Sequence, residues 1–159
     1  MHNDTRFLDL NRTYGGKPGK PSSVFLDWLR SHGLSEQAVA VVSRYVLGKA
    51  GGVRALNFYS EKGILGANDK DFVPIAIRDG LLIVGGCPNG DPVAIDVREH
   101  LGAAGYICHE TMWHVASVRE VFFPFAASLD ELAAILTDDD PPYDYYHARD
   151  RYGNQTEPK

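Results

Sequence analysis

The sequence predicts an α+β domain: a mainly antiparallel central sheet, two N-terminal helices and a short C-terminal helix. Three observations lead there. Apolar residues recur at helical spacing near both ends of the chain. After Gly52 the pattern shifts toward strand-like runs with alternating stretches, and these continue to about residue 121. Successive strands are joined by short turns without intervening helices, which excludes the alternating βα order of a parallel sheet.

The elements follow in order. Residues 1–22 read as an irregular lead-in, because Gly15, Gly16, Pro18, Gly19 and Pro21 punctuate it too densely for a packed element. A helix is expected at 23–32, capped by Ser22 or Ser23. Phe25, Trp28 and Leu29 share one face, and Gly33 ends it. Ser35 caps a second helix to about Leu47, with Val39, Val42 and Val46 at helical spacing and Gly48, Gly51 and Gly52 as the stop. Strands are expected at Val53–Ser60 and at Phe72–Ile77, where Pro74 favours an edge or a bulge. Asp79-Gly80 then turns the chain into a continuous apolar strand, Leu81–Val84.

After the Gly85–Gly90 turn, Pro92–Val97 alternates, with Val93, Ile95 and Val97 on one face and Ala94 and Asp96 on the other. A loop at 98–105 leads to strands at Tyr106–Met112 and Trp113–Val121. Ser128 and Glu131 form a capping box ahead of a helix at 129–136, and Pro141-Pro142 stops it. The domain is therefore expected at 23–137, followed by an acidic, tyrosine-rich tail at 138–159. Trp28, Phe72, Tyr106, Phe122, Phe123 and Phe125 are expected in the core, and Trp113 in either the core or a binding surface.

A chain of 159 residues supports one sizeable core and no second ordinary domain. Its 44% hydrophobic and 23% charged residues exclude wholesale disorder. No apolar run approaches the roughly 18 residues of a membrane span, and MHNDTRFLDL has no signal-peptide core, so a cytoplasmic protein without membrane contact is expected. The two cysteines, Cys87 and Cys108, are expected as ordinary reduced thiols. Residues 1–80 carry 11 Lys and Arg against 8 Asp and Glu, whereas residues 81–159 carry 5 against 13. The acidic half argues against a nucleic-acid surface and favours a basic protein partner. Oligomeric state is not legible.

No local motif carries catalytic chemistry. His109-Glu110-Thr111-Met112-Trp113-His114 resembles a zinc-protease signature, but its second histidine lies five positions on. That is about 140° away on a helix and the opposite face on a strand. Gly85–Gly90 lacks the Lys-Ser/Thr and the following helix of a phosphate cradle; Asn89-Gly90 reads as a turn. Asp91 and Asp96 lie at odd spacing, so a strand sends them to opposite faces. Asp91 reads as a turn residue accepting local N–H groups, and Asp96 as solvent-exposed or hydrogen-bonded. Catalytic, metal and cofactor residues are all expected to be absent.

Four segments together carry a resemblance: FVPIAIRDG, NGDPVAIDV at Asn89–Val97, the His109-Glu110 pair, and AASLDELAAIL at Ala126–Leu136. Over residues 72–136 the chain resembles the SMI1/KNR4 family of the SUKH superfamily. The resemblance implies an α+β domain that binds proteins. Bacterial members act as immunity proteins against polymorphic toxins, many of them nucleases or deaminases; eukaryotic members regulate the cell wall through protein contacts. It implies no established catalytic site, so Asn89, Gly90, Asp91, Asp96, His109 and Glu110 carry over as family-pattern residues. A protein-binding domain, in the sense of an immunity protein against a basic toxin domain, is therefore expected. The alternatives are a regulatory or scaffold module, and a small-molecule-binding protein or enzyme whose site is assembled from distant residues. Candidate partner-binding residues are Trp113, the Asp138, Asp139, Asp140 cluster, and Tyr143, Tyr145 and Tyr146, where acidic groups would speed encounter and aromatic groups would hold the complex.

Overall fold

A six-stranded antiparallel sheet organises the protein, its strands lying side by side in chain order. The computed structural model describes residues 4–69 and 76–153. The strands are β3 (Gly51–Val53), β4 (Leu56–Phe58), β5 (Leu81–Gly86), β6 (Pro92–Asp96), β7 (Ala104–Ile107) and β8 (Phe122–Ala126). A two-stranded sheet pairs β1 (Lys17–Pro18) with β2 (Leu47–Lys49). The helices are α1 (Arg6–Thr13), α2 (Ser23–Ser31), α3 (Glu36–Ser43), α4 (Glu61–Ala67), α5 (Leu129–Leu136) and α6 (Tyr145–Tyr152). This is the expected α+β class.

The sheet separates two cores of unequal size. Val93, Ile95, Ala104 and Tyr106 face the larger one, which receives apolar residues from α1, α2, α3, α5 and α6. Ile83, Ala94 and Ile107 face the smaller one, closed by Ala76, Met112 and Val118, with Tyr59 and Ala67 packed against it. Strand alternation produces this division directly.

Local signals placed three helices well. Ser22 accepts from Phe25 N at 3.1 Å, Ser35 from Ala38 N at 3.1 Å, and Ser128 from Glu131 N at 3.0 Å. Glu131 Oε2 accepts from Ala127 N at 2.6 Å, one residue before the position a capping box would use.

Elsewhere the structure corrects the expected elements. Residues 1–22 are not an irregular lead-in: they contain α1 and β1. Phe7 anchors α1, packing edge-on against Tyr45 and Phe58 at 5.5 and 4.8 Å between ring centres. Gly16 is needed because the backbone of Gly51 passes so close that a Cβ there would stand 2.9 Å from Gly51 Cα. The second helix ends at Ser43 rather than Leu47, because Leu47–Lys49 pairs with β1. Val53–Ser60 is not one strand; β3 and β4 form a hairpin, with Arg54 at φ 53° in its turn.

Helix α4 escaped detection because Gly63 and Gly66 hide its helical pattern. Of the expected strand Phe72–Ile77, residues 72–75 lie outside the described residues, and Ala76–Asp79 forms a 3₁₀ helix. Strand β7 ends at Ile107, not Met112, because His109 is drawn to Asp91 and the chain turns, with Met112 N donating to Cys108 O at 3.0 Å. Trp113–Val121 is turns followed by a 3₁₀ helix, Val118–Val121, which Ser117 and Glu120 cap reciprocally. The aromatic run after it is the edge strand β8, where Pro124 is tolerated. Phe122, Phe123 and Phe125 are half-buried there, not core residues. Within the acidic, tyrosine-rich tail, residues 138–153 fold back on the domain, and α6 buries Tyr145 and Ala148 in the larger core.

Candidate functional site

One end of the sheet gathers most of the residues singled out in the sequence. Strand pairing places there the β3–β4 turn, the β5–β6 hairpin, the end of β7 and the start of β8. The segment from α5 to α6 crosses this end. Arg54 in the β3–β4 turn donates to the carbonyls of Thr137 and Asp138, and Tyr106 Oη donates to Pro142 O at 2.7 Å.

Asp91 is the centre of the arrangement. The hairpin before it closes with Gly90 N donating to Cys87 O at 3.0 Å and Cys87 N to Asp91 O at 2.8 Å. Gly90 sits at φ 99°, a conformation that suits glycine. Asn89 accepts from Asp91 N and donates to Asp91 Oδ2, both at 3.0 Å. These are the expected local turn bonds, but they are the smaller part. Asp91 Oδ1 also accepts from His109 N at 3.0 Å and His109 Nδ1 at 2.5 Å, and Oδ2 accepts from Tyr145 N at 2.8 Å. Burial pushes the Asp91 carboxyl up, yet the hydrogen bonds from Tyr145, His109 and Asn89 outweigh it and hold its pKa below the usual range. An ionised carboxylate only accepts, so His109 carries its proton on Nδ1.

A histidine oriented by a buried carboxylate can serve as a base when a nucleophile stands against its other nitrogen. Among the described residues no hydroxyl or thiol is hydrogen-bonded to His109. Burial, with the nearby Asp91 and Asp144, pushes the Cys87 thiol far up and keeps it neutral. The pair instead joins three pieces of chain: the β5–β6 hairpin, the turn after β7 and the first turn of α6. Its evident role is a latch.

Asp96 lies at the opposite end of β6, so the two aspartates form no catalytic pair. It is buried rather than exposed, and accepts from the backbone N–H groups of Arg98, Glu99 and His100. Arg119 closes the cluster at 2.5 Å to Asp96 and 3.1 Å to Glu99. Burial pushes the Asp96 carboxyl up, but these partners, Arg119 foremost, bring it below its ordinary range. The cluster fixes the β6–β7 loop.

Of the candidate partner-binding residues, Trp113 and Tyr146 are 58% and 46% exposed. Cys108 Sγ donates to Tyr146 Oη at 3.6 Å, and Tyr145 braces the Tyr146 ring edge-on at 5.3 Å. Tyr145 itself is buried and offers no surface; Tyr143 is half-buried against the larger core. Cys108, through its hydrogen bond, is the main cause that pushes the Tyr146 hydroxyl pKa up, and the exposed Glu110 adds to it. Asp138, Asp139 and Asp140 are exposed, and Asp140 pairs with Arg151 at 3.1 Å.

Sequence reading missed Arg119, Tyr59 and Asp130. Asp130 accepts from Phe7 N at 2.9 Å and Tyr45 Oη at 3.1 Å, with Arg44 at 3.6 Å. Its first two partners stand 123 and 85 positions away, so no local signal marks it.

Among the described residues no group of three or more His, Cys, Asp or Glu side chains could hold a metal ion. Both cysteines are free and buried. No described helix is long and apolar enough to cross a membrane. No family model, curated protein or solved structure matches the chain.

Proposed function

We propose that this chain is a protein-binding domain of the SMI1/KNR4 type, acting in the cytoplasm as an immunity protein that neutralises a basic toxin domain such as a nuclease. The observation that supports this reading best is the exposure of Trp113 and Tyr146 on turns and helix joined through Asp91. Large aromatic groups held in place lose little freedom on binding and are effective anchors. Glu110, Asp138 and Asp139 add negative charge at the same end of the sheet, and no described residue forms an ion pair with any of the three. Such charges speed encounter with a basic partner and lose effect as salt rises.

The test is co-expression with a basic toxin domain encoded beside the gene for this chain. Rescue of growth, with a complex that survives gel filtration at physiological salt, is the expected outcome. Toxicity that persists despite abundant folded protein, with no complex at low salt, would overturn the proposal.

A further inference from the structure

The smaller core leaves a cleft of about 590 Å³ between α4 and the ends of β4, β5 and β6. Its size falls within the roughly 300–1,000 Å³ of small-molecule sites. The lining is mainly apolar, and glycines form much of it: Gly63 and Gly66 from α4, Gly86 from β5 and Gly90 from the hairpin. A wall made of glycine backbone is flat and admits a planar group closely.

Tyr59 supplies a polar feature, beside Asn57 and Asp69. Its ring is wedged between two of those glycines. A Cβ at Gly63 would stand 2.9 Å from Tyr59 Cβ, and one at Gly86 would stand 3.1 Å from the Tyr59 hydroxyl. Among the described residues that hydroxyl has no hydrogen-bond partner, although the ring packs on the smaller core. Burial, with the neighbouring Cys87, pushes its pKa up, so it remains a neutral donor. Asp69 also lines the cleft, and its carboxylate disfavours an anionic ligand there.

We propose that this cleft binds a small, uncharged aromatic compound, its ring against the glycine wall and an acceptor such as a carbonyl on the Tyr59 hydroxyl. The cleft borders the β5–β6 hairpin, but the proposal does not depend on the protein-binding reading.

Acetylnaphthalene is a suitable probe, with the matching naphthoate anion as its control, in a titration followed by backbone amide NMR shifts. Saturable shifts confined to residues lining the cleft are expected, with a dissociation constant below about 1 mM. Naphthoate should bind at least about tenfold more weakly. Tyr59→Phe should weaken acetylnaphthalene binding about fivefold through one lost hydrogen bond.

A Cβ at Gly66 would meet nothing within 4 Å, so Gly66→Leu should fill the cleft without disturbing α4 and abolish binding. Ala67→Leu serves as a second filling variant if Gly66→Leu does not give a native spectrum. Absence of saturable shifts with the unaltered protein would overturn the proposal. So would equal affinity for naphthoate, or undiminished binding by a folded filling variant.

Discussion

Tyr145 donates its backbone N–H to Asp91 Oδ2 at 2.8 Å, across 54 positions of sequence. That bond satisfies a donor in the first turn of α6, which has no partner within its own helix. It thereby joins the last helix to the middle of the sheet. The same carboxylate holds the turn after β7 through both the backbone and the ring of His109. Asp91 is thus a structural acceptor shared by three segments, two of which carry the exposed Trp113 and Tyr146.

Asp91→Ala should destabilise the protein by about 3 kcal/mol or more, because several donors lose one buried acceptor together. Asn89→Ala, which removes only the local turn bonds, should cost about 1 kcal/mol. Urea unfolding of both variants checks this. Equal and small losses would mean that Asp91 acts only within its own turn.

Asp91 and Asp96 have folded-state pKa values held below the ordinary carboxylate range. In the unfolded chain both titrate near about 3.9. The stability they contribute is therefore fully present above that pH, and is lost as pH falls from there through their lower folded values. Unfolding free energy should fall on acidification below about pH 4. The decline should be shallower in Asp96→Asn, provided that variant is folded at neutral pH. An identical acid limb in both proteins would contradict the assignment.

Gly90→Ala should cost about 1 kcal/mol from its left-handed backbone alone. The nearest atom to an added Cβ would be His109 Cδ2 at 3.8 Å, so no steric clash contributes. The measurement is the unfolding midpoint in denaturant, with an unchanged midpoint as the contrary result.

A chain truncated after Thr137 should lose cooperative folding, or about 3 kcal/mol of stability at the least. It would lack α6 and Pro142, uncovering Tyr106, whose ring is fully buried and packs on Phe125 at 4.8 Å. Circular dichroism melting of the two chains decides this. A truncated chain with native stability would show that α6 is an accessory.

Trp113→Ala and Tyr146→Ala should leave stability within about 0.5 kcal/mol, since neither ring is buried. In a complex with a basic toxin domain, they should raise the dissociation rate about tenfold or more. Asp138→Asn combined with Asp139→Asn should mainly slow association at low salt. Unchanged rates in all variants would remove this end of the sheet from the interface.

The fold class, the helices α2 and α5, strands β5 and β6 and the Asn89-Gly90 turn were all legible in the sequence. Each is specified by neighbours within a few positions: a capping serine, an apolar period, a residue that accepts positive φ. Tertiary structure alone decided that residues 6–13 form a helix, because Phe7 is apolar enough to anchor it only where Tyr45, Phe58 and Asp130 meet it. It also decided that Tyr145 faces the core while Tyr146 faces solvent, a difference that composition does not reveal. The roles of Asp91 and Asp96 divide in the same way. Their odd spacing excluded a shared site, but whether each carboxylate is exposed or buried depends on donors that arrive from other elements. A carboxylate leaves water only where enough hydrogen bonds replace it, and for these two the chain supplies those bonds only after folding.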